Sequence, residues 1–204
     1  MKTNSNRFFQ PAFAAALAVA LSLSAAAQTH EMKPVTLKSD APASASPSDA
    51  QKSFDALKTL AGNWKAAVTT DPPMPGMENG TTTDVWLRVT SRGNALVHEM
   101  KGSGTPDDPA RYDHPVTMVY LDGDRLILTH YCDAGNRPRM AARTSPDGKT
   151  VEFDFLDVAG STQYGHMQHA VFTLVDANHH TEDWTYLMPG DKPMHAHFEL
   201  KRSQ

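Results

Sequence analysis

The sequence predicts an all-β protein: an up-and-down antiparallel β-barrel of about ten strands, led by one short α-helix. Three observations point there. Apolar residues recur at period two along most of the chain, as in Val151-Phe153-Phe155 and Ala196-Phe198-Leu200. Tight-turn chemistry, such as Asp122-Gly123 and Pro146-Asp147-Gly148, separates these runs at short intervals. Helical spacing is confined to one stretch, ending near Gly62.

Residues 1–27 read as a cleavable secretion signal. Lys2 and Arg7 make a positive start, and Ala12 to Leu23 form an apolar run shorter than the roughly 20 residues a bilayer span needs. Ala25-Ala26-Ala27 then supply the small residues a signal peptidase reads. The expected location is periplasmic or secreted, with cleavage after Ala27. Residues 28–47 are rich in Ala, Ser, Pro and charge. They have too little apolar surface to offset ordering entropy, so a disordered tether is expected. The barrel domain is then 48–204.

Removal of residues 1–27 takes two of the 19 basic residues and none of the 23 acidic ones, leaving a net charge of −6 with His neutral. That balance argues against a nucleic-acid partner, which selects a basic face. No Lys/Arg-rich amphipathic stretch suggests stable membrane association after the signal is gone. Cys132 is the only cysteine, so no disulfide forms within the chain. The fold must be held by its core.

Within the domain, Ser48 and Gln51 fit a capping box, and Asp49 adds favourable charge to the first turn. Phe54, Leu57, Leu60 and Ala61 follow at helical spacing, with Gly62 placed as a C-terminal cap. Alternation and turns then give strands at 63–70, 80–90, 94–101, 115–121, 125–132, 137–144, 150–157, 166–175, 180–188 and 194–201. A meander this long must hide two edges, and closure into a barrel removes them. Two longer segments, Asp71–Asn79 and Gly102–His114, are polar or Pro-rich and suit the rim of an opening.

The helix, Leu60-Ala61-Gly62-Asn63-Trp64 and the meander together resemble the calycin-like barrels. Within that superfamily the chain looks most like the uncharacterised lipocalin-like proteins that bacteria export. The likeness spans roughly 54–202. It is most specific in Thr129-His130-Tyr131-Cys132, Gly135-Asn136-Arg137-Pro138-Arg139-Met140, Gly165-His166-Met167 and Glu182-Asp183-Trp184-Thr185. It implies a fold and no activity. A more distant resemblance is to the nitrobindins, haem-binding barrels that begin with Gly-x-Trp and ligate iron through a His on a late strand. Here the late strand offers His195 and His197, but Lys65-Ala66-Ala67 stands where nitrobindins have further glycines. The sequence names no cofactor.

Period two places His130 and Cys132 on one face with Leu126 and Leu128. If that face looks inward, they could touch a ligand, hold a metal, or serve as base and nucleophile. They could equally be a hydrogen-bonded core His beside an inert thiol. His166 and His169 point to opposite faces unless a bulge intervenes, and the spacing demands no zinc site. His179-His180 follows a turn and reads as solvated surface. His195 and His197 share a face with Glu199 and read as outward. Arg137, Arg139 and Arg143 form a charged stripe that Glu152 or Asp154 could neutralise. Arg139 is kept as a carboxylate-binding candidate because it lies in the motif shared with the exported family. Trp184 and Tyr131 complete the ligand-binding candidates, alongside His130, Cys132, Arg139 and His166.

Two functions remain. One is a small-molecule-binding barrel that holds an apolar or amphipathic ligand. The other is an isomerase or hydrolase with His130 or His166 as general base. A packed interior would leave a structural or partner-binding domain instead.

Overall fold

The computed structural model describes residues 46–75, 81–145 and 147–203. The stretches expected to be a secretion signal and a tether lie, up to residue 45, outside the described residues.

The leading helix, α1, spans Asp49–Lys58. Ser48 caps it, its hydroxyl accepting the Gln51 N–H at 3.1 Å, a bond worth about 1 kcal/mol. Asp49 in the first turn and Lys58 in the last complement the helix dipole. Phe54, Leu57 and Leu60 are buried, each contributing about 1.5–3 kcal/mol. Gly62 is not the cap expected of it. The helix ends at Thr59, whose N–H reaches the Ala56 carbonyl at 3.1 Å, followed by Leu60 N–H to the Leu57 carbonyl at 3.0 Å. Gly62 instead opens the first strand at φ 143°, where a Cβ would lie 2.3 Å from Arg202 Nη1. Its role is to let the last strand's arginine approach.

Ten strands follow: β1 Gly62–Asp71, β2 Thr82–Thr90, β3 Ala95–Gly102, β4 Val116–Asp122, β5 Arg125–Tyr131, β6 Arg137–Thr144, β7 Thr150–Ala159, β8 His166–Asp176, β9 His179–Met188 and β10 Lys192–Arg202. Each pairs antiparallel with its neighbour in sequence, and β1 pairs with β10 from Trp64↔Arg202 to Asp71↔His195. The barrel is closed.

Alternation fills it. Trp64, Ala66 and Val68 point inward from β1, and Ala196, Phe198 and Leu200 from β10. The helix plugs the end at which β1 begins. There the Trp64 Nε1–H donates to the Leu60 carbonyl at 2.7 Å, and the Arg202 guanidinium sits 4.2 Å over the Trp64 ring. Both the end of β1 and the start of β10 lie at the opposite end. That end is open.

A loop there depends on one glycine. Gly165 has φ +91°, and a Cβ on it would lie 2.1 Å from the Leu187 carbonyl oxygen. Buried Asn136 pins the same loop, its Nδ2 donating to the carbonyls of Ser161 at 2.9 Å and Gly165 at 2.7 Å. Gly165→Ala is therefore expected to cost at least about 1–3 kcal/mol, the scale of a residue forced into disallowed backbone. Thermal unfolding checks it, and an unchanged midpoint would refute this packing.

Candidate functional site

The open end holds a cavity of about 630 Å³. Its wall comes from the ends of strands that meet there: Met100 from β3, His130 from β5, Met167 from β8, Trp184, Tyr186 and Met188 from β9, and Met194, Ala196 and Phe198 from β10. The two long segments rim it as expected, through Met74 and through Asp113. Five of the chain's ten methionines line this one space. Their unbranched thioethers make an adaptable, polarisable wall.

His130 is the polar group set deepest into that wall from β5. It is 3% exposed, and its Nδ1 lies 2.8 Å from Thr117 Oγ1. That contact leaves Nε2 as the ring nitrogen free to meet a ligand. Burial, then the neighbouring His98, pushes its pKa down to about 4, so the imidazole is neutral at ordinary pH. Cys132 also lines the cavity, and burial raises its thiol above the usual range. It is no ready nucleophile.

Below the cavity lies a charged core. The inner face of β9 reads His180, Glu182, Trp184, Tyr186 from the plugged end to the mouth. Glu182 is fully buried. It accepts from His98 Nε2 at 3.1 Å on both oxygens, from His180 Nε2 at 3.1 Å and from Trp184 Nε1 at 3.0 Å. Burial alone would raise its carboxyl. Charge and hydrogen bonds from His98 and His180 outweigh that and hold it well below the ordinary range. Nδ1 of each histidine has no hydrogen-bond partner. His180, expected on the surface, is thus interior: β9 starts at His179, and alternation turns the next residue inward.

The other candidates fall elsewhere. Tyr131 is 43% exposed, on the opposite face of β5 from His130, and lines a smaller adjoining depression of about 380 Å³. Arg139 lies outside the barrel, bound to Asp157 through Nε at 2.8 Å and Nη2 at 2.5 Å. It cannot clamp a carboxylate within. Arg143 pairs with Glu152 and Asp154 as the charge pattern suggested. His166 stacks near Phe155 and directs Nδ1 at the Met167 carbonyl, 3.0 Å away, off the cavity wall. A register shift around Gln168 separates Met167, which faces the cavity, from His169, which meets Asp154 outside. Glu152, Asp154 and His169 bring ligand atoms within 4.8 Å of one another, but Arg143 already forms ion pairs with both carboxylates.

His195 and His197 both face outward, bonded to Thr185 and Asp183. The inner face of β10 shows the cavity only Met194, Ala196 and Phe198. The late-strand imidazole that the nitrobindin resemblance implies for haem therefore does not reach the cavity.

Sequence reasoning missed the methionine wall, Asp113, Asp133 and the His98–Glu182–His180 core. Glu182-x-Trp184-x-Tyr186 at period two was the available signal, since a carboxylate on an aromatic inner face implies a buried partner.

No family model matches the chain, and no curated protein matches it. Among solved structures, Rv2717c from M. tuberculosis aligns with a TM-score of 0.54 at 11% identity, over 74% of this chain and 98% of that one. A protein of unknown function from the DUF3598 family of Nostoc punctiforme aligns with a TM-score of 0.44 at 9% identity, over 72% of this chain and 49% of that one. At such identity the first likeness speaks for the fold alone, and the fold of this chain is a closed ten-stranded antiparallel barrel.

Proposed function

We propose that this is an exported small-molecule-binding protein that holds an apolar or amphipathic ligand in the open end of the barrel. The cavity carries the reading. Its volume of about 630 Å³ falls within the roughly 300–1,000 Å³ common to ligand sites. Its wall is mainly apolar, with His130 as a single deep polar anchor. The catalytic alternative is weaker because a general base works best with a pKa near the operating pH. His130, at about 4, is too weak a base for efficient proton abstraction at pH 7.

The neutral fluorophore N-phenyl-1-naphthylamine tests the reading. Mature protein should bind it with enhanced emission at micromolar concentrations, and Ala196→Trp, which fills the wall, should remove at least about tenfold of the affinity, or 1.4 kcal/mol. Equal binding by the two proteins, both folded by circular dichroism, would place the probe elsewhere. N-terminal sequencing of exported protein should find Gln28 first, and an intact Met1 would defeat the export part.

A further inference from the structure

We propose that the ligand is an amphiphile with a cationic head: an apolar chain or ring system carrying a protonated amine. The inference rests on the cavity reading above and adds a charge to it. Asp113 and Asp133 both line the cavity, whereas no Lys or Arg among the described residues does. The Asp133 N–H donates to Asp113 Oδ1 at 3.0 Å, which holds the two acidic residues together at the rim. Crowding by protein, then the Asp133 charge, raises the Asp113 carboxyl above its ordinary value. A cation arriving there would relieve that repulsion.

The rest of the cavity agrees. Arg139, the one guanidinium considered for an acid head, is bound to Asp157 outside, and the carboxylates on the described cavity wall are Asp113 and Asp133, while Arg111 and His114 line the adjoining depression. Trp184, Tyr186 and Tyr164 contribute aromatic rings to the wall, and ring faces attract organic cations. The Tyr186 hydroxyl donates to the Tyr164 carbonyl at 2.9 Å, which fixes this side of the mouth. His130 is almost fully buried and keeps Nε2 unpaired on the wall. A ligand with a hydrogen-bonding atom in its apolar body would engage that nitrogen while its amine sat at the rim.

Displacement of N-phenyl-1-naphthylamine by three ten-carbon competitors, each below its micellar concentration, decides the question. At pH 7 and low salt, decylammonium should displace the probe at about tenfold lower concentration than decanoate, with decanol between, on the scale of one partly screened charge contact. In the double variant Asp113→Asn, Asp133→Asn, decylammonium and decanoate should come within about twofold of each other, each measured against that variant's own affinity for the probe. Decanoate displacing as well as decylammonium would overturn the cationic head while leaving the cavity reading intact. A preference that survives the double variant would overturn the assignment to these two carboxylates. Folded protein that fails to bind the probe at all would overturn the cavity reading, and this inference with it.

Discussion

Glu182→Ala is expected to lower the unfolding free energy by about 3–5 kcal/mol, the usual loss when one partner of a buried ionic group is deleted. The carboxylate is fully buried and accepts from His98, His180 and Trp184. Its removal leaves three buried donors without their acceptor. Glu182→Gln should fall between wild type and alanine. An amide oxygen still accepts, but the amide nitrogen confronts an imidazole donor. Replacing His98, His180 and Glu182 together by leucine should recover part of the loss, since the Trp184 Nε1–H alone of the three donors is then left without an acceptor. Urea unfolding of the three variants is the measurement. Wild-type stability in Glu182→Ala would mean that the network lies open to solvent.

Acid should unfold the protein in two steps that different residues control. The folded pKa of His130 is about 4 against an ordinary 6.5. Between those values the unfolded chain binds more protons than the folded one, so stability falls as pH drops. The contribution is whole above pH 6.5, and about 3 kcal/mol of it is lost by pH 4, from 1.36 kcal/mol per pKa unit. Glu182 acts in the same direction lower down, because its folded carboxyl is held below the unfolded value and its stabilisation is lost on further acidification. His130→Gln should remove much of the slope from pH 6.5 to 4 and leave the acid limb in place. Parallel stability curves for the two proteins would show that His130 is already charged, or solvated, in the folded state.

Much of the fold was legible because strand and turn signals are local. Asp122-Gly123 closes the β4–β5 hairpin, and the ten expected strands match the observed ones to within two residues. Relative faces were legible too, as His130 and Cys132 do share the cavity wall. Where alternation breaks, the reading broke with it. The shift around Gln168 puts Met167 inward and His169 outward, although both are odd-numbered positions on one strand. Hollow space was the deeper obstacle. Met194-Ala196-Phe198 has the same pattern whether it packs against neighbours or faces an opening, so period two names the inner face without saying what fills it. Arg139 misled for a related reason: a motif that resembles another family's marks a position, while its partner Asp157 comes from the next strand.

The pairing of β1 with β10 has a kinetic side. Every other seam in the barrel joins strands adjacent in sequence, so it can zip from a nearby turn. This one must bring Trp64 to Arg202 and Val68 to Phe198, across almost the whole domain. Such contacts repay their loop-closure entropy late, which makes ring closure the natural slow event of folding. Until it happens, both strands present open hydrogen-bonding edges. Any chain that stops short of β10 keeps the edge of β1 permanently unpaired, and such fragments should self-associate rather than fold.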